Sequence, residues 1–161
     1  MGAAGASQGD AGVKRQTILL VDDEEDIRES LQQLIEASLE GVDVVVAASG
    51  QEALDVVEGR SVDLIVSDYK MPGMNGLELL SRIGRTRPHI PRILVTAFPD
   101  LEIAIRAINE AGIENFFTKP FDPDQVLNVV RALLYEQRAQ ELRNRSFARS
   151  IDLLRKSMDQ K

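Results

Sequence analysis

The chain has 161 residues and a mass of 17.8 kDa, room for one compact domain with an appendage rather than for two full domains. A hydrophobic fraction of 43% supports a sizeable core, while no apolar run approaches the roughly 20 residues of a membrane-spanning helix. Zero cysteines exclude disulfides, thiolate metal sites and cysteine nucleophiles, and 26 acidic against 19 basic residues argue against nonspecific attraction to nucleic acid. With no secretory signal in view, a cytoplasmic protein is expected. The charge is uneven: residues 1–134 carry 22 acidic and 12 basic groups, residues 135–161 carry 4 and 7, which suggests separate parts.

Residues 1–16 are rich in Gly, Ala and Ser without apolar periodicity and read as a flexible leader. Short aliphatic runs follow at 18–21, 42–46, 62–66, 93–95 and 115–118, separated by amphipathic segments. Strands that are continuously apolar are covered on both faces, so the alternation predicts a five-stranded, parallel, doubly wound α/β sheet of the flavodoxin-like kind, with helices on both faces. Helix starts are marked by short polar residues three before Glu or Gln: Ser49 with Glu52, Asn75 with Glu78, and Asp122 with Gln125, the first of that last pair followed by Pro123. The α/β domain is expected to span 17–134.

The fifth helix has no stop signal at its expected end. Val126, Val130, Leu133, Gln137, Gln140, Asn144, Phe147, Ile151, Leu154 and Met158 alternate spacings of four and three, the seam of a coiled coil, and no Pro or Gly follows Pro123. A lone helix would leave Phe147, Ile151, Leu154 and Met158 in water. Residues 135–161 are therefore expected to form a helical extension, a linker or a dimerisation helix, paired in parallel in a homodimer. The tail cations Arg138, Arg143, Arg145, Arg149, Arg155 and Lys156 are interleaved with acids, so this segment is read as a solvated face rather than a nucleic-acid contact.

Open parallel sheets gather functional groups at the carboxyl ends of their strands. There the sequence places Asp22 and Asp23, then Asp68, Thr96, and Thr118, Lys119 and Pro120. Converging carboxylates raise one another's pKa unless a cation intervenes, and an oxygen-only ligand set suits Mg²⁺. With the metal placed, Asp68 can act as nucleophile toward an activated phosphoryl donor while Lys119 and Thr96 serve the outer oxygens. The inferred chemistry is formation and hydrolysis of an aspartyl phosphate.

Residues 20–23 (LVDD), 67–76 (SDYKMPGMNG), 94–97 (LVTA) and 118–121 (TKPF) together resemble the receiver domain of two-component response regulators, over about residues 16–134. The resemblance implies that Asp68 is the phosphoacceptor, that Asp23 binds Mg²⁺ directly and Asp22 mainly through water, and that the Lys70 carbonyl adds a ligand. It implies contacts of Thr96 and Lys119 with the phosphoryl group, a cis peptide between Lys119 and Pro120, and a readout face of helix four, strand five and helix five. The donor would be a sensor histidine kinase or phosphotransfer protein, and the output a conformational switch that controls a partner or effector. Phe116 stands where the family has its aromatic switch, coupled to Thr96, and lacks a hydroxyl. Lys70 and Phe98 correspond to two variable positions that tune phosphoryl lifetime in the family the chain resembles, and the resemblance implies that role for them.

Other residues are read without function: His89 lies in a loop between Pro88 and Pro91, and Met71 and Met74 are read as loop packing. Catalysis is expected only of the protein's own phosphorylation and dephosphorylation. A phosphatase with an aspartyl nucleophile is the rival class, but Asp68 is followed by Tyr69 and Lys70, without an acid two residues on. No strand-to-helix turn carries GxGxxG or GxxxxGK[ST], which disfavours a nucleotide site. The remaining alternative is the N-terminal part of a longer, multidomain response regulator.

Overall fold

The computed structural model describes residues 14–97 and 100–159. The expected leader lies almost wholly outside them, and Phe98 lies outside them too. In chain order the elements are β1 (Gln16–Val21), α1 (Glu25–Ser38), β2 (Val42–Ala47), α2 (Gly50–Gly59), β3 (Leu64–Asp68), α3 (Gly76–Thr86), β4 (Arg92–Thr96), α4 (Leu101–Ala111), β5 (Asn115–Thr118) and α5 (Pro123–Asp159). All neighbouring strands pair in parallel, in the order β2-β1-β3-β4-β5. The chain therefore winds first to one side of β1 and then to the other, and opens a crevice between the carboxyl ends of β1 and β3.

Side chains alternate across the sheet with the period of two that strands impose. Ile18, Leu20, Leu64, Val66, Ile93 and Val95 pack with Ile35 and Leu39 from the α1 side and with Val126, Leu127, Val130, Leu133 and Leu134 of α5. Leu19, Val21, Ile65 and Leu94 point the other way, onto Ala53 and Val57 of α2, Leu79, Leu80 and Ile83 of α3, and Ala107 and Ala111 of α4. Both layers are built from the runs that the sequence shows as uninterrupted.

Local boundaries differ in three places. β1 starts at Gln16, whose side-chain amide donates to the Leu134 carbonyl at 2.8 Å, so this residue belongs to the domain rather than to a leader. β3 starts at Leu64: Val62 is buried but precedes the strand, and the Asp63 carboxylate accepts from the Thr17 amide at 2.7 Å. Ser49 and Asn75 accept from the amides of Glu52 and Glu78 as expected, whereas the Asp122 carboxylate accepts from Asp124, not Gln125.

α5 runs unbroken through Leu134 to Asp159. Its stripe has two uses. Val126, Val130 and Leu133 are buried on this chain's own sheet, while Phe147 and Met158 are 69% and 76% exposed, and Ile151 and Leu154 are exposed with them. Between these stretches, residues before β1 are strapped to the helix: Arg138 donates to the Lys14 carbonyl, and the Lys14 ammonium is 3.8 Å from Glu141.

At the opposite end of the sheet from the crevice, the buried Arg92 is held by backbone carbonyls. Its guanidinium donates to those of Ala111 at 2.9 Å, Ile90 at 2.9 Å, Gly112 at 3.1 Å and Pro88 at 3.4 Å. A cation there also complements the negative end of α4. Burial pushes its pKa down, partly offset by the charge of Glu114. Arg92→Met would keep much of the volume and strand these carbonyls, so a loss of about 3 kcal/mol is expected in urea unfolding.

Candidate functional site

The carboxyl ends of β1, β3, β4 and β5 carry the site, and the backbone ladder sets its register. Asp68 is paired with Val95 across β3 and β4, and the Tyr69 amide continues the ladder to the Val95 carbonyl at 2.9 Å. Thr96 is paired with Thr118, and the Lys119 amide donates to the Thr96 carbonyl at 2.7 Å. β4 thus holds Asp68 on one side and Lys119 on the other. The Lys119 to Pro120 bond is cis, as expected.

Asp22, Asp23 and Asp68 each offer a carboxylate oxygen, and these oxygens lie within 4.8 Å of one another. Asp22 and Asp68 are buried and Asp23 is exposed. The Lys119 ammonium is 3.0 Å from Asp22 Oδ2 and 3.5 Å from Asp68 Oδ1. Asp22 Oδ1 accepts from the Glu24 amide at 3.0 Å, so both oxygens of Asp22 already have donors. Asp68 Oδ1 also accepts from the Tyr69 amide at 2.9 Å.

Burial, and then the charge of Asp22, push the Asp68 carboxyl up to about 6, against the opposing pull of Lys119 and the Tyr69 amide. For Lys119, burial works to lower the pKa, but the hydrogen bond and charge of Asp22, joined by Asp68, outweigh it and hold the ammonium above its ordinary value. The site is therefore a set of mutually repelling anions with the Lys119 ammonium inside it. An additional cation would relieve the repulsion, and this all-oxygen donor set fits a hard divalent ion.

A cleft of about 420 Å³ opens over these groups, walled by Asp23, Glu24, Asp68, Lys70, Met71, Pro72, Ala97 and Lys119. Lys70 is therefore at the cleft. Thr96 is fully buried, and its neighbour Ala97 is in the wall. Phe116 pairs with Leu94, two residues before Thr96, and packs on the α2–α3–α4 side of the sheet, so Thr96 and Phe116 share a face. Met71 is buried and Met74 packs on the core, its sulfur against the start of α2, in keeping with loop packing. His89 stands near Glu114 and Tyr135 at the other end of the sheet, remote in register from the strand ends that carry the site.

One residue that shapes the site is not apparent from residue chemistry. Gly76 begins α3, and its amide donates to the Tyr69 carbonyl at 2.8 Å. A Cβ there would lie 2.0 Å from the Asp68 carbonyl oxygen. The absence of a side chain lets α3 close against the peptide that carries Asp68. The signal in the sequence is the glycine itself, just after a capping Asn, but its contact lies eight positions away in the chain.

Comparison with known proteins agrees with this geometry. Residues 18–131 match the response regulator receiver domain family. The C4-dicarboxylate transport transcriptional regulatory protein DctD of Rhizobium meliloti is 36% identical over 136 residues, 84% of this chain and 29% of its own length. Sporulation initiation phosphotransferase F of Bacillus subtilis is 38% identical over 117 residues, 73% of this chain and 92% of that protein. The solved signal receiver domain of an HD domain-containing protein from Pseudomonas fluorescens Pf-5 superposes with a TM-score of 0.74 at 38% identity, covering 78% of this chain and 99% of that one. The chain belongs to the response regulator receiver domain family, the phosphoacceptor modules of two-component systems. It spans less than a third of the length of DctD.

Proposed function

We propose that Asp68 takes the phosphoryl group from a phosphohistidine on a sensor kinase or phosphotransfer protein. An Asp68 oxygen attacks phosphorus, the P–N bond breaks with its electron pair returning to the imidazole, and an acyl phosphate results; attack by water later releases phosphate. The observation that carries the reading is the meeting of three carboxylates from two strand ends with the Lys119 ammonium, with Asp23, Asp68 and Lys119 facing one open cleft.

Asp23, Asp68 and the Lys70 carbonyl would hold Mg²⁺ directly, and Asp22, its oxygens already engaged, through water. Bound there, Mg²⁺ supplies neutralisation of the phosphoryl charge. Lys119 then turns from the carboxylates toward the phosphoryl oxygens. Contact with Thr96 requires this fully buried residue to be uncovered; that movement would reach Phe116 on the same face and bias the α4–β5–α5 surface. Phosphate contacts at the cleft would also let Lys70 tune the lifetime of the acyl phosphate. Phosphotransfer should stop in chelator and return with Mg²⁺; unchanged transfer in chelator would overturn the metal roles.

For the tail we propose a parallel coiled coil in a homodimer, supported by the exposed stripe of Phe147, Ile151, Leu154 and Met158. Burying each contributes roughly 1.5–3 kcal/mol, and the polar positions Gln137, Gln140 and Asn144 can fix register. The receiver would then be residues 16–134, with a dimerisation or linker helix beyond it, acting in the cytoplasm on a downstream effector. In sedimentation, the intact chain is expected as a dimer at tens of micromolar, and the Phe147→Asp, Ile151→Asp double variant as a monomer. A monomeric parent would contradict pairing and favour a linker role in a longer regulator.

A further inference from the structure

α1 begins differently from the helices that follow it. Ser49, Asn75 and Asp100 cap α2, α3 and α4 through side-chain oxygens, whereas Glu24, at the start of α1, makes no side-chain cap bond. Instead Arg28, one turn into α1, reaches backward, and its Nη1 donates to the Asp22 carbonyl at 2.7 Å. Arg28 is half-buried behind the open cleft. With Asp22, Asp68 and Lys119 it lines a void of only about 10 Å³.

This bond completes the fixing of Asp22. Its amide donates to the Ala47 carbonyl of β2 at 3.2 Å, its carbonyl accepts from Arg28, and its two carboxylate oxygens accept from the Glu24 amide and Lys119. The Asp22 carbonyl belongs to the peptide plane that carries Asp23. Rotation of that plane would swing the exposed Asp23 carboxylate relative to Asp68. A guanidinium holding the carbonyl blocks the rotation at a place where β1 has ended and α1 has not begun.

We infer that Arg28 is a positioning residue: it fixes the Asp22–Asp23 peptide and thereby sets the affinity of the acidic cluster for Mg²⁺. The inference rests on the metal-dependent receiver reading above. Charge and geometry act in opposite directions here, which makes the two separable. As a bare cation near the carboxylates, Arg28 would repel Mg²⁺, and its removal would tighten binding. As a positioning group its removal weakens binding, as loss of an outer partner of a metal ligand commonly does by tenfold or more.

The test is calorimetric titration of Mg²⁺ into the full chain without phosphodonor, for the parent, Arg28→Met and Arg28→Lys. About tenfold weaker binding is expected for Arg28→Met, with most of the affinity recovered by Arg28→Lys, which keeps a donor on a flexible stem. In labelling with a small acyl phosphate, Arg28→Met should need more Mg²⁺ for half-maximal rate while reaching the parent's maximal rate. Mg²⁺ binding by Arg28→Met that is tighter than the parent's, or within twofold of it, overturns the inference, whether or not its melting temperature falls. Should Arg28→Met fail to fold, Arg28→Leu, which likewise has no donor, takes its place with the same expected and contrary outcomes. Absence of Mg²⁺ binding by the parent would instead overturn the reading of the site itself.

Discussion

At pH 7 and without divalent metal, Asp68→Asn is expected to stabilise the protein by about 2–3 kcal/mol in urea unfolding, an advantage that disappears near pH 4. Asp68 is buried beside Asp22, and burial first, with the Asp22 charge second, raises its pKa from 3.8 to about 6. A carboxyl whose pKa is raised on folding favours the folded state only when protonated. Its contribution is complete below the unfolded value of 3.8 and is lost as the pH rises through about 6. A tenfold change in the proton's dissociation constant between the unfolded and folded chain corresponds to about 1.4 kcal/mol, which sets the size of the effect. Asn removes the charge while retaining an acceptor for the Tyr69 amide, which now binds Asp68 Oδ1. Saturating Mg²⁺ should narrow or reverse the difference by stabilising only the folded parent. A stability difference independent of pH between 4 and 7 would contradict the electrostatic description of the site.

The second large effect is expected of Gly76→Ala. The added Cβ would meet the Asp68 carbonyl oxygen at 2.0 Å and its carbon at 2.9 Å, and the Leu94 side chain at 3.0 Å. Two of these three atoms are backbone of β3, so the strain cannot be relieved by a rotamer change. α3 must move away from the sheet, and its amide bond to the Tyr69 carbonyl goes with it. The expected cost is about 3 kcal/mol. Because the displaced peptide is that of Asp68 itself, the rate of phosphorylation should fall even where the variant is fully folded. Gly59→Ala is the control: its Cβ meets nothing within 4 Å at the end of α2, and a small gain in stability is expected. Equal behaviour of the two substitutions would contradict the close approach of α3 to β3.

These residues mark where the sequence is informative and where it is not. The aliphatic runs predict all five strands, most strongly β1, β3 and β4, which are covered on both faces, while the edge strands β2 and β5 are only partly buried; the polar residues at the strand ends predict the cluster of Asp22, Asp23, Asp68 and Lys119. Arg92 and Arg28 are different. Their acceptors are backbone carbonyls, on residues up to twenty positions away for Arg92 and across a helix turn for Arg28, and a carbonyl leaves no mark in residue type. Asp122 shows the same limit at short range, since its capping pattern is satisfied one residue earlier than the spacing suggests. The α5 stripe reads as one seam because apolar spacing records that a face needs covering and not what covers it. The fold covers Val126, Val130 and Leu133 with the sheet and leaves Phe147, Ile151, Leu154 and Met158 exposed.

The central claim is that the acidic cluster exists to place a phosphoryl group on Asp68. The direct measurement is to phosphorylate the full chain from a phosphohistidine donor in Mg²⁺, trap the acyl phosphate by borohydride reduction, and locate the reduced residue by peptide mass spectrometry, with Asp68→Asn in parallel. The reduced residue is expected at Asp68 alone, and no labelling is expected in the variant. Labelling at another residue of the parent, or retained labelling in a folded Asp68→Asn protein, would contradict the account.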